Sequence, residues 1–156
     1  MVTKTPSSSQ LLNIDIERIM TMIPHRYPFL LVDRVEDMIP NQSAVGIKNV
    51  TFNEHYFHGH FPSSPVMPGV LIIESMAQTS ALLVVQSLGV EAEGKLVYFM
   101  SIDGARFRKP VVPGDQMRIH VKKTRRHAKV WKFFCQVMVD ENLVAEANIT
   151  AMILDD

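Results

Sequence analysis

Cysteine is nearly absent: Cys135 is the only one in the chain. That excludes an internal disulfide and any zinc site built on cysteine pairs, and a reducing, cytoplasmic compartment is expected. Net charge is absent as well, with 16 Lys+Arg against 16 Asp+Glu. A chain made chiefly to coat nucleic acid would carry an excess of Lys and Arg to neutralise phosphates, so no nucleic-acid partner is expected. Residues Met1 to Gln10 are polar, rich in Ser and without a secretory apolar core, and they read as a flexible tail ahead of a single domain over 11–156. Val70 to Leu88 alone approaches the length of a membrane span. It carries Glu74, Gln78, Thr79, Ser80 and Gln86 and lacks flanking Lys or Arg, so a helix buried in protein is expected, with no membrane insertion.

What is present is a chain 47% hydrophobic, enough for a packed core. Ile14 to Met22 reads as a short helix capped by Asn13 or Asp15 and ended by Pro24, with His25-Arg26-Tyr27-Pro28 as a turn. Phe29–Met38 and Ala44–Phe52 read as a strand pair around the turn at Pro40 to Ser43. Pro68-Gly69 opens the long apolar helix and Gly89 stops it. Period-two strands follow near Lys95–Arg108, Gln116–Lys123, Lys129–Val139 and Leu143–Leu154. Hairpin-length connections imply an antiparallel sheet in an α+β fold. A helix apolar nearly all round must be covered on most sides; a curved sheet wrapped about it would do so, and any face left open invites a second subunit.

From His55 to Val90 the one residue among Asp, Glu, Lys and Arg is Glu74. A carboxylate buried without partners costs several kcal/mol, so Glu74 requires a reason. Two readings stand side by side: it faces a solvent gap or bonds a backbone group of the next subunit, or it does chemistry. His55, His58 and His60 precede the helix, but no helical His-x-x-x-His pair, nearby cysteine or supporting carboxylate accompanies them, so no metal is expected.

The run His60-Phe61-Pro62-Ser63-Ser64-Pro65-Val66-Met67-Pro68-Gly69-Val70-Leu71-Ile72-Ile73-Glu74-Ser75-Met76-Ala77-Gln78 resembles the signature of the 3-hydroxyacyl-acyl carrier protein dehydratases of the FabZ type, members of the hot-dog fold superfamily. Ser63 replaces the usual Gly and Ser75 the usual Ala. Ile23 to Arg34 and Phe107 to Asp115 are also similar to family motifs, so the resemblance spans most of the chain.

The resemblance implies a curved antiparallel sheet wrapped around one long central helix, and dehydration of (3R)-3-hydroxyacyl thioesters to trans-2-enoyl thioesters in type II fatty acid biosynthesis, without metal or redox cofactor. His60 would be the base and Glu74 the acid. The sibling FabA-type enzymes carry Asp where Glu74 stands, which favours simple dehydration over isomerisation. A neutral imidazole can take the C2 proton, and a carboxyl kept neutral by apolar surroundings can protonate the departing C3 hydroxyl. The Gly69 N–H, at the positive end of the helix dipole, is the candidate donor to the enolate oxygen. Gln78, one turn beyond Glu74, can orient its carboxyl. Met67, Met76, Phe99 and Phe107 are candidates to line an acyl tunnel. The family forms homodimers whose sites take His from one chain and Glu from the other, and hexamers as trimers of dimers. Rival readings are a hot-dog thioesterase, whose carboxylate would activate water, and a non-catalytic acyl-thioester binding module.

Zero net charge conceals a strong asymmetry. From Ala105 to Lys132 there are ten basic residues and one acidic, and from Phe133 to Asp156 five acidic and none basic. A solvated rim and a nucleic-acid patch are the plain readings, but an aromatic platform for bases is missing. With the resemblance, Arg106, Arg108, Lys109, Lys122, Lys123, Arg125 and Arg126 become candidates to dock an acidic acyl carrier protein with its phosphopantetheine arm.

Overall fold

A computed structural model describes residues 11–154; the tail expected over 1–10 lies outside the described residues. In chain order the elements are β1 (Leu12–Ile14), α1 (Ile16–Met22), β2 (Arg34–Ile39), β3 (Ser43–Asn49), α2 (Gly69–Leu88), β4 (Val97–Phe107), β5 (Gln116–His127), β6 (Val130–Val139) and β7 (Asn142–Ile153). Short 3-10 turns precede and follow α2 at His55–His58 and Val90–Ala92. The strands form one seven-stranded sheet in the order β1-β2-β3-β5-β6-β7-β4, with every pairing antiparallel.

The sheet wraps α2, giving the architecture that the resemblance implies. Inward positions alternate as a half-buried sheet requires: Met117, Ile119 and Val121 on β5, Trp131, Phe133, Cys135 and Val137 on β6, and Ala145, Ala147, Ile149, Ala151 and Ile153 on β7 are buried. Helix α2 is long and apolar enough to cross a membrane, and 72% of its apolar window is buried inside the fold, as a core helix would be.

The structure differs from two local expectations. The sequence suggests a pair of strands before α2, and the sheet has a further one, β1. Strand β2 begins at Arg34, not Phe29: the Phe29 and Leu30 N–H groups close a turn onto the Arg26 carbonyl, and the Phe29 carbonyl and Leu31 N–H bond the Gln78 side chain rather than a neighbouring strand. Helix α1 starts with the Asp15 carboxylate accepting from the Arg18 N–H at 2.9 Å. At its other end the Arg26 guanidinium donates to the carbonyls of Met20 (2.7 Å) and Ile23 (3.0 Å). Those bonds anchor the loop that carries His25.

Strand β4 differs from the others. It is a sheet edge, paired among the described residues with β7 on one side only, and Tyr98, Met100, Ile102 and Phe107 are about half exposed. A long apolar edge is a template for another strand unless something covers it.

Candidate active site

From Ile72 to Val85 every residue of α2 is buried except Glu74. The lone charge of this stretch is therefore also its lone opening to the outside, with its side chain 22% exposed. Its Oε1 accepts the Gln78 amide N–H at 3.1 Å, the helical i,i+4 contact expected from the sequence. Gln78 does more: its Nε2 donates to the Phe29 carbonyl at 2.7 Å and its Oε1 accepts the Leu31 N–H at 2.8 Å. It thus ties the loop before β2 to α2 and holds Glu74 from the same amide.

Sequence reasoning misses His25. Its Nε2 lies 3.6 Å from Glu74 Oε1, and its ring stacks on Phe29 with centroids 6.4 Å apart. Burial pushes His25 below its ordinary 6.5, against the pull of the Glu74 charge, and Arg26 adds to the lowering. The available signal is its place in a motif that carries the family resemblance; taken by itself, that segment reads only as a turn.

His60 sits in the loop ahead of α2, and its Nδ1 lies 2.7 Å from the Val66 carbonyl oxygen. A carbonyl can only accept, so Nδ1 carries the proton and neutral imidazole presents an Nε2 lone pair. The His60 N–H donates to the Tyr56 carbonyl at 3.1 Å. Tyr56 is itself held by Glu54, which accepts the phenol at 2.9 Å and pairs with the buried Lys48 ammonium. Burial first, then the Glu54 charge, raises the Tyr56 phenol above its ordinary value, so it remains a neutral donor.

Helix α2 begins immediately beside this histidine. The N–H groups of Leu71 and Ile72 bond the Pro68 carbonyl, whereas the Gly69 N–H makes no hydrogen bond among the described residues, as first-turn donors of a helix are left to do. The Phe107 ring packs against Gly69 so closely that a Cβ there would stand 2.9 Å from it.

Two cavities separate the key groups. One, of about 320 Å³, holds His60 with Met67, Gly69, Ile72, Phe107, Arg108 and Lys109 among its walls. The other, of about 310 Å³, holds Glu74 with Val70, Ile73, Ala77, Phe99, Ile102 and Ile149. Helical periodicity explains the division, since Gly69 and Ile72 form one stripe of α2 while Val70, Ile73, Glu74 and Ala77 form another. Met67 and Phe107 therefore accompany His60, and Phe99 accompanies Glu74. Met76 lines neither cavity and is fully buried in the core.

The basic residues also divide. Arg108 and Lys109 line the His60 cavity, where they bond Glu146 (2.7 Å) and Asn142 (2.9 Å), and Arg106 is exposed on β4 beside them. Register runs from Phe107 through Ala145 and Val137 to Ile119, three strands across the sheet, and Arg125 and Arg126 lie a further ~20 Å along β5 at ~3.3 Å per residue. There Lys123 and Arg126 lie over the Trp131 ring, at 5.7 and 4.5 Å from its centroid, and Lys122 is exposed nearby. His55 and His58 are exposed, and no group of three or more metal-binding side chains occurs among the described residues.

Helix, sheet and the His60 loop together define a protein of the hot-dog class. Its fold matches that of the dehydratase heterocomplex ApeI:P from Xenorhabdus doucetiae, with a TM-score of 0.75 at 14% identity over 88% of this chain and 91% of that one. The family model of the FabA-like domain matches residues 23–148, and the chain belongs to that family. Among its relatives, the 3-hydroxyacyl-[acyl-carrier-protein] dehydratase FabZ of Rhodospirillum rubrum is 64% identical over 92% of this chain and 89% of its own length. The protein of the same name from Paramagnetospirillum magneticum is 68% identical over the same shares.

Proposed function

We propose that the protein dehydrates (3R)-3-hydroxyacyl-acyl carrier protein to trans-2-enoyl-acyl carrier protein in fatty acid synthesis in the cytoplasm. The substrate class follows from relatives of that name at 64 and 68% identity. The observation that carries the chemistry is a single cavity holding the His60 ring, its Nδ1 committed to Val66, next to the Gly69 N–H at the start of α2. His60 Nε2 takes the C2 proton, the C2–H electrons delocalise onto the thioester oxygen as an enolate, and they then form the C2–C3 double bond as the C3–O bond breaks. Glu74 gives its proton to the departing hydroxyl, which leaves as water. The Gly69 N–H and the helix dipole stabilise the enolate oxygen of the thioester.

The two cavities of one chain hold the base and the acid apart, which supports a site completed by a second copy, with His60 from one protomer and Glu74 from the other. The open β4 edge and its exposed Tyr98, Met100 and Ile102 support a homodimer formed there, and three such dimers would make the family's hexamer. Arg106, Arg108 and Lys109 at the His60 cavity dock the acidic carrier protein, with Lys122, Lys123, Arg125 and Arg126 as a second basic patch.

The deciding assay follows enoyl absorbance and free thiol together with a 3-hydroxyacyl thioester. Enoyl formation that vanishes in His60→Ala, with assembly unchanged, supports the reading. Thiol release without enoyl indicates a thioesterase, and no change in either signal indicates a binding module.

A further inference from the structure

We infer that His25 is a positioning residue for Glu74: its imidazole and the Gln78 amide flank carboxylate oxygen Oε1, leaving Oε2 as the oxygen that carries and delivers the proton. The inference rests on Glu74 being the acid of the proposed dehydration. Gln78 Nε2 is 3.1 Å from Oε1 and His25 Nε2 is 3.6 Å from the same atom. The second distance is too long for a hydrogen bond, and catalytic contacts of this kind commonly tighten when substrate binds.

The tautomer follows from the other ring nitrogen. His25 Nδ1 is buried and has no hydrogen-bond partner among the described residues. A proton on Nδ1 would leave a buried donor orphaned, so the proton belongs on Nε2, which faces an acceptor. The charged and titratable neighbours of this ring are Glu74 itself and Arg26, and the Arg26 guanidinium is spent on the carbonyls of Met20, Ile23 and His25. One N–H, from Gln78 on α2, bonds Oε1, and the His25 ring nitrogen from the loop stands 3.6 Å from the same atom. A carboxylic acid whose one oxygen accepts twice places its own hydrogen on the other. A free carboxyl would divide that hydrogen between both oxygens and both rotamers, and only one arrangement can protonate a leaving group fixed in place.

The test uses the full-length protein, with turnover of a (3R)-3-hydroxyacyl thioester compared with that of its 3-chloro analogue, whose chloride leaves without needing a proton. His25→Phe keeps the stacking on Phe29 and removes both nitrogens; His25→Gln sets an amide N–H near the position of Nε2. The expected result is a kcat lowered about 10-fold in His25→Phe on the hydroxy substrate, KM changed less than about twofold, near-normal turnover of the chloro substrate, and recovery of most of kcat in His25→Gln. Thermal unfolding of both variants checks that the fold persists. Equal loss on the two substrates, or no loss in His25→Phe, overturns the positioning role. Failure of the underlying reading looks different: wild-type protein would form no enoyl product, or Glu74→Gln would retain full hydroxy turnover.

Discussion

Gly46 of β3 lies directly beneath Thr79 of α2: a Cβ on Gly46 would stand 2.2 Å from Thr79 Oγ1 and 3.1 Å from its Cβ. No rotamer of Thr79 clears the second contact, so a methyl group at position 46 must push helix and sheet apart. Gly46→Ala should cost about 1–3 kcal/mol, the usual penalty of overpacking, and lower Tm by several degrees. Adding Thr79→Ala should restore part of the loss, and a cycle of thermal denaturation curves over the four proteins reads the coupling.

Gly69 faces a different obstacle. Its added Cβ would meet the far end of the Phe107 ring, Cε1 at 2.9 Å, a side chain that can yield where backbone cannot. Gly69→Ala should therefore keep Tm within a few degrees of wild type while narrowing the His60 cavity, with kcat/KM reduced about 10-fold or more. A large fall in Tm would show instead that the glycine serves packing.

Removing one partner of a buried ion pair strands the other. Lys48 is 5% exposed and is paired with Glu54, whose second oxygen accepts from the Thr51 N–H and the Tyr56 phenol. Glu54→Gln should destabilise the protein by about 3 kcal/mol, and Lys48→Met added to it should recover much of that. Denaturant unfolding measures both.

The Cys135 thiol is pushed up to about 12 by burial, only partly offset by the Ser80 hydroxyl. Its thiolate is scarce at pH 8, and the native protein should resist iodoacetamide. Unfolding in guanidinium should expose one reactive thiol, counted by mass spectrometry.

Stability should decline on mild acidification. Burial lowers His25 and His120 below the ordinary 6.5, helped at His120 by Arg118 and opposed at His25 by Glu74. A folded value below the unfolded one means that protons bind the unfolded chain first, so this contribution is complete above pH ~6.5 and is lost as pH falls below it. Tm measured from pH 7.5 to 5.5 should fall, and His120→Gln should flatten the slope without touching the Glu74 surroundings.

Helix α2, strands β5 to β7 and the exceptional standing of Glu74 are legible in the sequence through periodicity and the scarcity of charge, since these elements are long and one-faced. Strand β1 has too few residues to show a period. Phe29 to Leu31 carry the apolar content of a strand, yet a turn onto the Arg26 carbonyl and the Gln78 side chain on α2, distant in sequence, claim their backbone groups. His25 is hidden for the same reason: its meaning lies in proximity to Glu74, which no local pattern encodes. The placement of β4 at the sheet edge depends on a crossover that hydropathy does not specify.

That edge has a consequence for the life of the protein in a cell. Newly made chains bear an open strand with Tyr98, Met100 and Ile102 exposed, the type of surface that chaperones hold and proteases inspect. If pairing through β4 also completes the site, an orphan subunit is both inactive and visible to quality control. Supply of active enzyme would then rise more steeply than supply of polypeptide, because each functional centre requires an encounter between two chains.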